Sequence, residues 1–108
     1  MSGSKVALPS SMQFMLTGDG LAISNQLRAY AEYRFFTTIA RYASAIGIVQ
    51  MTVRCDDDVY FCTAAVDQAR AEGFTVQARA CHPNAAIDRV ADRAARLLSR
   101  RDRQSVSS

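Results

Sequence analysis

Residues 74–101 read FTVQARACHPNAAIDRVADRAARLLSRR, and the hydrophobic period changes in the middle of that stretch. From Phe74 to Ala80, apolar Phe74, Val76, Ala78 and Ala80 alternate with Thr75, Gln77 and Arg79. A period of two puts the apolar set on one face of a strand. Pro83 suits the first turn of a helix, where its missing N–H is no loss. From there the period is that of a helix: Ile87, Val90, Ala91, Ala94, Leu97 and Leu98 fall on one stripe, and the helix is expected to end near Arg101. A half-buried strand feeding an amphipathic helix requires a second layer for both to bury against.

The rest of the chain supplies that layer. Gln13 to Thr17 reads as a short strand, stopped by the turn residues Thr17-Gly18-Asp19-Gly20. Ser24 or Asn25 caps a helix expected to reach Tyr42, with Leu27, Ala31, Phe35 and Tyr42 on one side and Ile23, Tyr30 and Ile39 beside them. Arg34 and Arg41 lie at the margin of that stripe, where an Arg lays its methylenes on the core and keeps its guanidinium outside. Phe36 falls nearly opposite, as an exposed aromatic or part of a partner surface. Val49, Met51 and Val53 alternate with Gln50, Thr52 and Arg54 in a strand over 48–54, which Asp56-Asp57-Asp58 closes as a hairpin turn. Val59 to Val66 is the return strand. Both its faces are apolar, so its inward register stays open.

The order is therefore β-α-β-β-β-α. This predicts an α+β two-layer sandwich, a four-stranded sheet with two helices on one face, similar in arrangement to double-stranded-RNA-binding domains. Residues 1–11 read as a flexible arm, 12–101 as a single domain and 102–108 as a frayed tail. Val49, Met51, Val53, Phe74, Val76, Ile87, Val90 and Leu97 are the expected core.

With 108 residues, 49% hydrophobic and 21% charged, the chain suits one globular domain rather than a disordered one. No apolar run reaches the roughly 18 residues of a membrane span. The start MSGSKVALPSS lacks the apolar core of a signal peptide. Together with the odd set Cys55, Cys62 and Cys81, this points to a reducing cytoplasm. Those cysteines with His82 would make a Cys₃His set, but no CxxC pair exists, so the thiols read as unligated and no metal is expected. The acidic turn lacks the glycine and distant Glu of a calcium loop. No GK[ST] follows Gly18 or Gly20. With no nucleophile–base pair, no carboxylate pair set in a cleft and no cofactor motif, the chain reads as non-enzymatic and cofactor-free.

The chemistry-bearing feature is a row of cations. Arg89, Arg93, Arg96 and Arg100 are spaced 4, 3 and 4, so they span roughly 60° of the helix, about 140° from the apolar stripe. Between Arg79 and Arg103 there are seven Arg against Asp88, Asp92 and Asp102, a local +4 in a protein of net +3. Asp92 is expected to pair with Arg96 at i, i+4. Four guanidinium groups along about 16 Å of helix suit a nucleic-acid backbone better than a small metabolite. A plain solvated face remains the other reading of the same spacing.

In order and spacing, three stretches resemble the ribosome hibernation-promoting factors, also described as sigma-54 modulation proteins and ribosome-associated inhibitors. They are Leu16-Thr17-Gly18 with Leu21-Ala22-Ile23, Leu27-Arg28-Ala29-Tyr30 and Arg41-Tyr42; then Val49-Met51-Val53; then Phe74 to Ala80 with Ala85-Ala86-Ile87-Asp88, Ala91-Asp92-Arg93, Leu97 and Arg100. The resemblance covers about residues 12–103. It implies the same fold and a protein that occupies the decoding region of the small ribosomal subunit and silences translation, with no enzymatic step. Arg34, Arg41, Arg89, Arg93, Arg96 and Arg100 would then contact rRNA phosphates. The family usually has basic residues where this chain has Cys55-Asp56-Asp57-Asp58, and acidic ones where it has Cys81-His82. The acidic turn and Phe36 leave a second expectation: a protein-interaction module of the same fold, with a protein partner near Phe36 and weak or no RNA binding.

Overall fold

The computed structural model describes residues 13–68 and 71–107, without the side chains of 43–45 and 102–107. The expected N-terminal arm lies outside the described residues. Four strands, β1 (Gln13–Asp19), β2 (Ile46–Asp56), β3 (Val59–Gln68) and β4 (Phe74–Ala80), and two helices, α1 (Asn25–Ile39) and α2 (Pro83–Ser107), follow the order β-α-β-β-β-α. The sheet runs β1-β2-β3-β4, with β1 and β2 parallel and the other pairs antiparallel. Parallel neighbours cannot be joined by a tight turn, so α1 is the crossover between them. Both helices pack on one face of the sheet, and the molecule is 18 Å across its thinnest dimension.

Several element ends depart from the sequence reading. β1 continues through Gly18 to Asp19, because Gly18 lets the chain return closely. A Cβ there would stand 2.1 Å from the Leu21 carbonyl oxygen. The turn falls instead at Gly20, whose φ of +75° an L side chain rarely adopts. Ser24 caps α1, its hydroxyl accepting from the Leu27 amide at 3.0 Å. The α-helix stops at Ile39, and a 3-10 segment, Ala40–Ala45, carries Arg41 and Tyr42. α2 starts at Pro83 as expected and reaches Ser107 rather than Arg101.

The core is one cluster. Ala31, Phe35 and Ile39 from α1 and Ala86, Ile87, Val90, Ala91, Ala94 and Leu98 from α2 cover Val49, Met51, Val53, Val76 and Ala78. Small residues on α2 let it lie close to the sheet. In β3 the inward set is Cys62, Ala64 and Val66, which closes the open register; Phe61, Thr63 and Ala65 take the outer face. Three expectations need correction. Phe74 and Leu97 are half-buried, since β4 is an edge strand and Leu98 takes the inward position on α2. Phe36 is not an exposed aromatic; it packs, half-buried, against the core.

Candidate nucleic-acid interface

α1 and α2 both start at the end of the sheet that holds the β2–β3 turn and run in the same direction. Parallel packing sets Tyr30 and Arg34, one turn apart on α1, against Asp88 and Asp92, one turn apart on α2. The Tyr30 hydroxyl donates to Asp88 Oδ1 at 2.6 Å, and Arg34 Nε donates to the same oxygen at 2.9 Å. Asp92 Oδ1 lies 3.9 Å from Arg34 Nη2, so its partner is the facing helix rather than Arg96. The hydrogen bond to Asp88 raises the Arg34 pKa. The same carboxylate raises that of Tyr30, first through its hydrogen bond, then with help from burial. Arg34 thus lies between the two helices, with its charge already compensated there.

The α2 row divides into two pairs. Arg89 Nη1 donates to the Arg79 carbonyl at 2.7 Å, and Arg93 Nη1 donates to the Gln77 carbonyl. Both reach over the edge of β4 and satisfy carbonyls with no neighbouring strand. Arg96 and Arg100 are exposed and make no ion pair or hydrogen bond among the described residues. Arg41 is also exposed, its guanidinium 5.6 Å from the Tyr42 ring. Arg101 lies beside this end of α2, bonded to Gln68 Oε1 at 2.6 Å and packed on Phe74. The cations free to meet a partner therefore sit toward the C-terminal ends of both helices.

Sequence reasoning missed the Tyr30–Arg34–Asp88–Asp92 cluster. Its signal was present: two pairs at i, i+4 spacing, complementary in charge, on helices that must share a layer. The acidic turn, with Asp57 and Asp58 at positive φ, stands at the opposite end from Arg96 and Arg100. Cys55 and Cys81 are exposed, and Cys62 is buried.

The family described as Sigma 54 modulation protein / S30EA ribosomal protein matches residues 14–105. The chain belongs to that family. Its match takes in all four strands and both helices, so the Arg row and the Asp88 cluster are parts of the S30EA domain itself. Among solved structures, a ribosomal subunit interface protein from Coxiella burnetii is similar with a TM-score of 0.75 at 19% identity, over 84% of this chain and 98% of that one. The N-terminal domain of Protein Y from Thermus thermophilus is similar with a TM-score of 0.68 at 21% identity, over 82% and 93%. At these identities the likeness is one of fold. No curated protein matches the chain at a significant level. Among the described residues no helix is long and apolar enough to cross a membrane, and no group of His, Cys, Asp or Glu could hold a metal.

Proposed function

We propose that this S30EA-family chain is a ribosome hibernation factor that binds small-subunit rRNA through the outer face of its helices and blocks translation by occupancy, with no chemical step. The observation that carries this reading is that Arg96 and Arg100, on the α2 face turned away from the core, are exposed and unpaired among the described residues, with Arg41 at the same end. These three supply the phosphate contacts that need no rearrangement. Arg89 and Arg93 contribute through guanidinium nitrogens not used at the β4 edge, since each group carries five donors. Arg34 contributes least, being held by Asp88.

Co-sedimentation with purified small subunits and whole ribosomes tests the proposal. The protein is expected in the pellet at low salt and in the supernatant at high salt, as phosphate binding by counterion release requires. Protein that stays in the supernatant at low salt would leave the Arg row a solvated face. That result would favour the second reading, a protein-interaction module. Its surface moves from Phe36 to Tyr33, which is 68% exposed on α1.

A further inference from the structure

The outer face of the sheet carries no helix among the described residues, and its side chains form ordered rows. Asp19, Arg54, Phe61 and Arg79 are successive cross-strand partners from β1 to β4. Phe61 is the one aromatic that strand alternation places on this face, and it stands between two arginines. The Arg54 guanidinium lies over its ring, 4.4 Å from the centroid, making a stacked aromatic–guanidinium platform that a base can extend. The next row on the same face, two strand residues or about 6.6 Å away, is Thr17, Thr52, Thr63 and Gln77.

A shallow groove of about 560 Å³ runs from Phe61 to the β4 edge, where Thr75, Gln77, Arg79 and Arg93 line it. Arg89 and Arg93 come over that edge from α2 to the Arg79 and Gln77 carbonyls, so two helix cations stand on the rim. Three further arginines, Arg79, Arg89 and Arg93, stand around the platform, against Asp19 in the row, the turn residues Asp57 and Asp58, and Asp56, 3.6 Å from Arg54. Both members of that pair are in water, where such a contact is worth little.

We propose that this face is a second nucleic-acid site, which stacks an unpaired base of single-stranded RNA on the Phe61–Arg54 platform and holds the adjoining phosphates with Arg79 and Arg93. Each requirement of single-strand recognition has a residue here. An aromatic face and a guanidinium plane accept a base, cations track the backbone, and hydroxyl and amide groups one row away meet base edges. A duplex offers no free base face to Phe61. On the β4 side of Phe61, where the groove lies, the charged lining residues are Arg79 and Arg93, which disfavours a basic partner. The site shares Arg93 with the ribosome-binding proposal, so Phe61, which that proposal does not use, is the residue that separates the two.

Anisotropy of a labelled, non-self-complementary ten-nucleotide RNA, titrated with the whole chain, tests it, with the blunt duplex of the same sequence as control. The single strand should bind at least about fivefold tighter than the duplex. Phe61→Leu should weaken single-strand binding roughly tenfold, the scale of one lost stack, and Phe61→Tyr should restore it. Duplex binding should be unchanged by either. A single-strand Kd that moves less than about twofold in Phe61→Leu, or equal binding of duplex and single strand, would overturn the proposal. Should Phe61→Leu fail to fold by circular dichroism, amide shifts of the wild-type protein decide the matter. The oligonucleotide must move Thr52, Thr63 and Gln77, and shifts confined to residues 89–100 would reject the site.

Discussion

Asp58 sits at φ +66° and Asp57 at φ +54°, the two central residues of a hairpin turn whose flanking pair is Asp56 and Val59. Two positive φ values are the mark of a type I′ turn, which matches strand twist and prefers Asp or Asn followed by Gly. Asp57 fits that preference and Asp58 does not. Asp58→Gly should therefore stabilise the fold by about 0.5–1 kcal/mol, after allowing for the greater freedom of Gly in the unfolded chain. In a thermal melt that is a rise of roughly 2–8 °C, and a lower midpoint would contradict the turn assignment. The thiols offer a second residue-scale reading. Burial pushes Cys62 from its ordinary 9.0 up to about 12, while Cys55 and Cys81 are exposed. A thiol reagent at pH 8 should label two cysteines quickly and the third only as fast as the protein opens. Below pH 9 both folded and unfolded chains keep the Cys62 proton, and its contribution to stability is whole. Between pH 9 and 12 the unfolded thiol ionises and the folded one does not, so stability falls as pH rises. Urea midpoints over that range should fall less steeply in Cys62→Ala.

In α2, Ile87 is fully buried, and Leu97 lies half-buried at the margin beside the inward Leu98. Ile87→Ala should cost about 2–5 kcal/mol in chemical denaturation. Leu97→Ala should cost only about 1–2 kcal/mol, because less apolar surface returns to water; equal losses would mean that the inward face has been misplaced. The contrast also marks what a sequence can tell. The change from period two to period 3.6 across residues 74–101 was enough to place β4 and α2 and to name Ile87 and Val90 as core. It could not separate Leu97 from Leu98, since adjacent positions at a stripe margin differ only in how the helix rolls on the sheet. The register of β3 was hidden for a similar reason: with Phe61 and Cys62 both apolar, only the position of the helices decides which points inward. The Arg row was legible as a row. That Arg34 is held by Asp88 was not, because the pair is 54 residues apart and meets only once α1 and α2 run parallel.

Across the whole molecule the helix cations unpaired among the described residues lie apart from the acidic turn. Asp19 and Asp56 to Asp58 stand where the helices begin, beside Arg54 and Arg79, while Arg41, Arg100 and Arg101 stand toward the other end, beside Asp67 and Glu72. Arg96 and Arg100 lie 13 and 17 residues along α2 from Pro83, roughly 20 and 26 Å, more than twice the screening length of about 8 Å at physiological salt. In a protein of net +3, the acidic turn is therefore largely screened from the neighbourhood of Arg96 and Arg100. Two variants with opposite signs test that the helix face does the binding. Arg96→Ala with Arg100→Ala removes two free cations, and each phosphate contact carries about 0.7–0.9 of the log affinity–log salt slope. If four to six phosphates are engaged, a wild-type slope of roughly −3 to −5 on small subunits should become shallower by about 1.5–2. Asp88→Asn removes one anion from the groove while its amide oxygen still accepts from Tyr30 and Arg34, so the helices stay paired. It leaves Asp92, 3.9 Å away, as the one anion facing Arg34 among the described residues, so the slope should steepen by less than about 0.9, with tighter binding at low salt. Subunit pelleting across a salt series reads both changes. A slope that ignores both variants would move the contact away from the helices altogether, whereas loss in the arginine variant without gain in Asp88→Asn would confine it to the C-terminal end of α2.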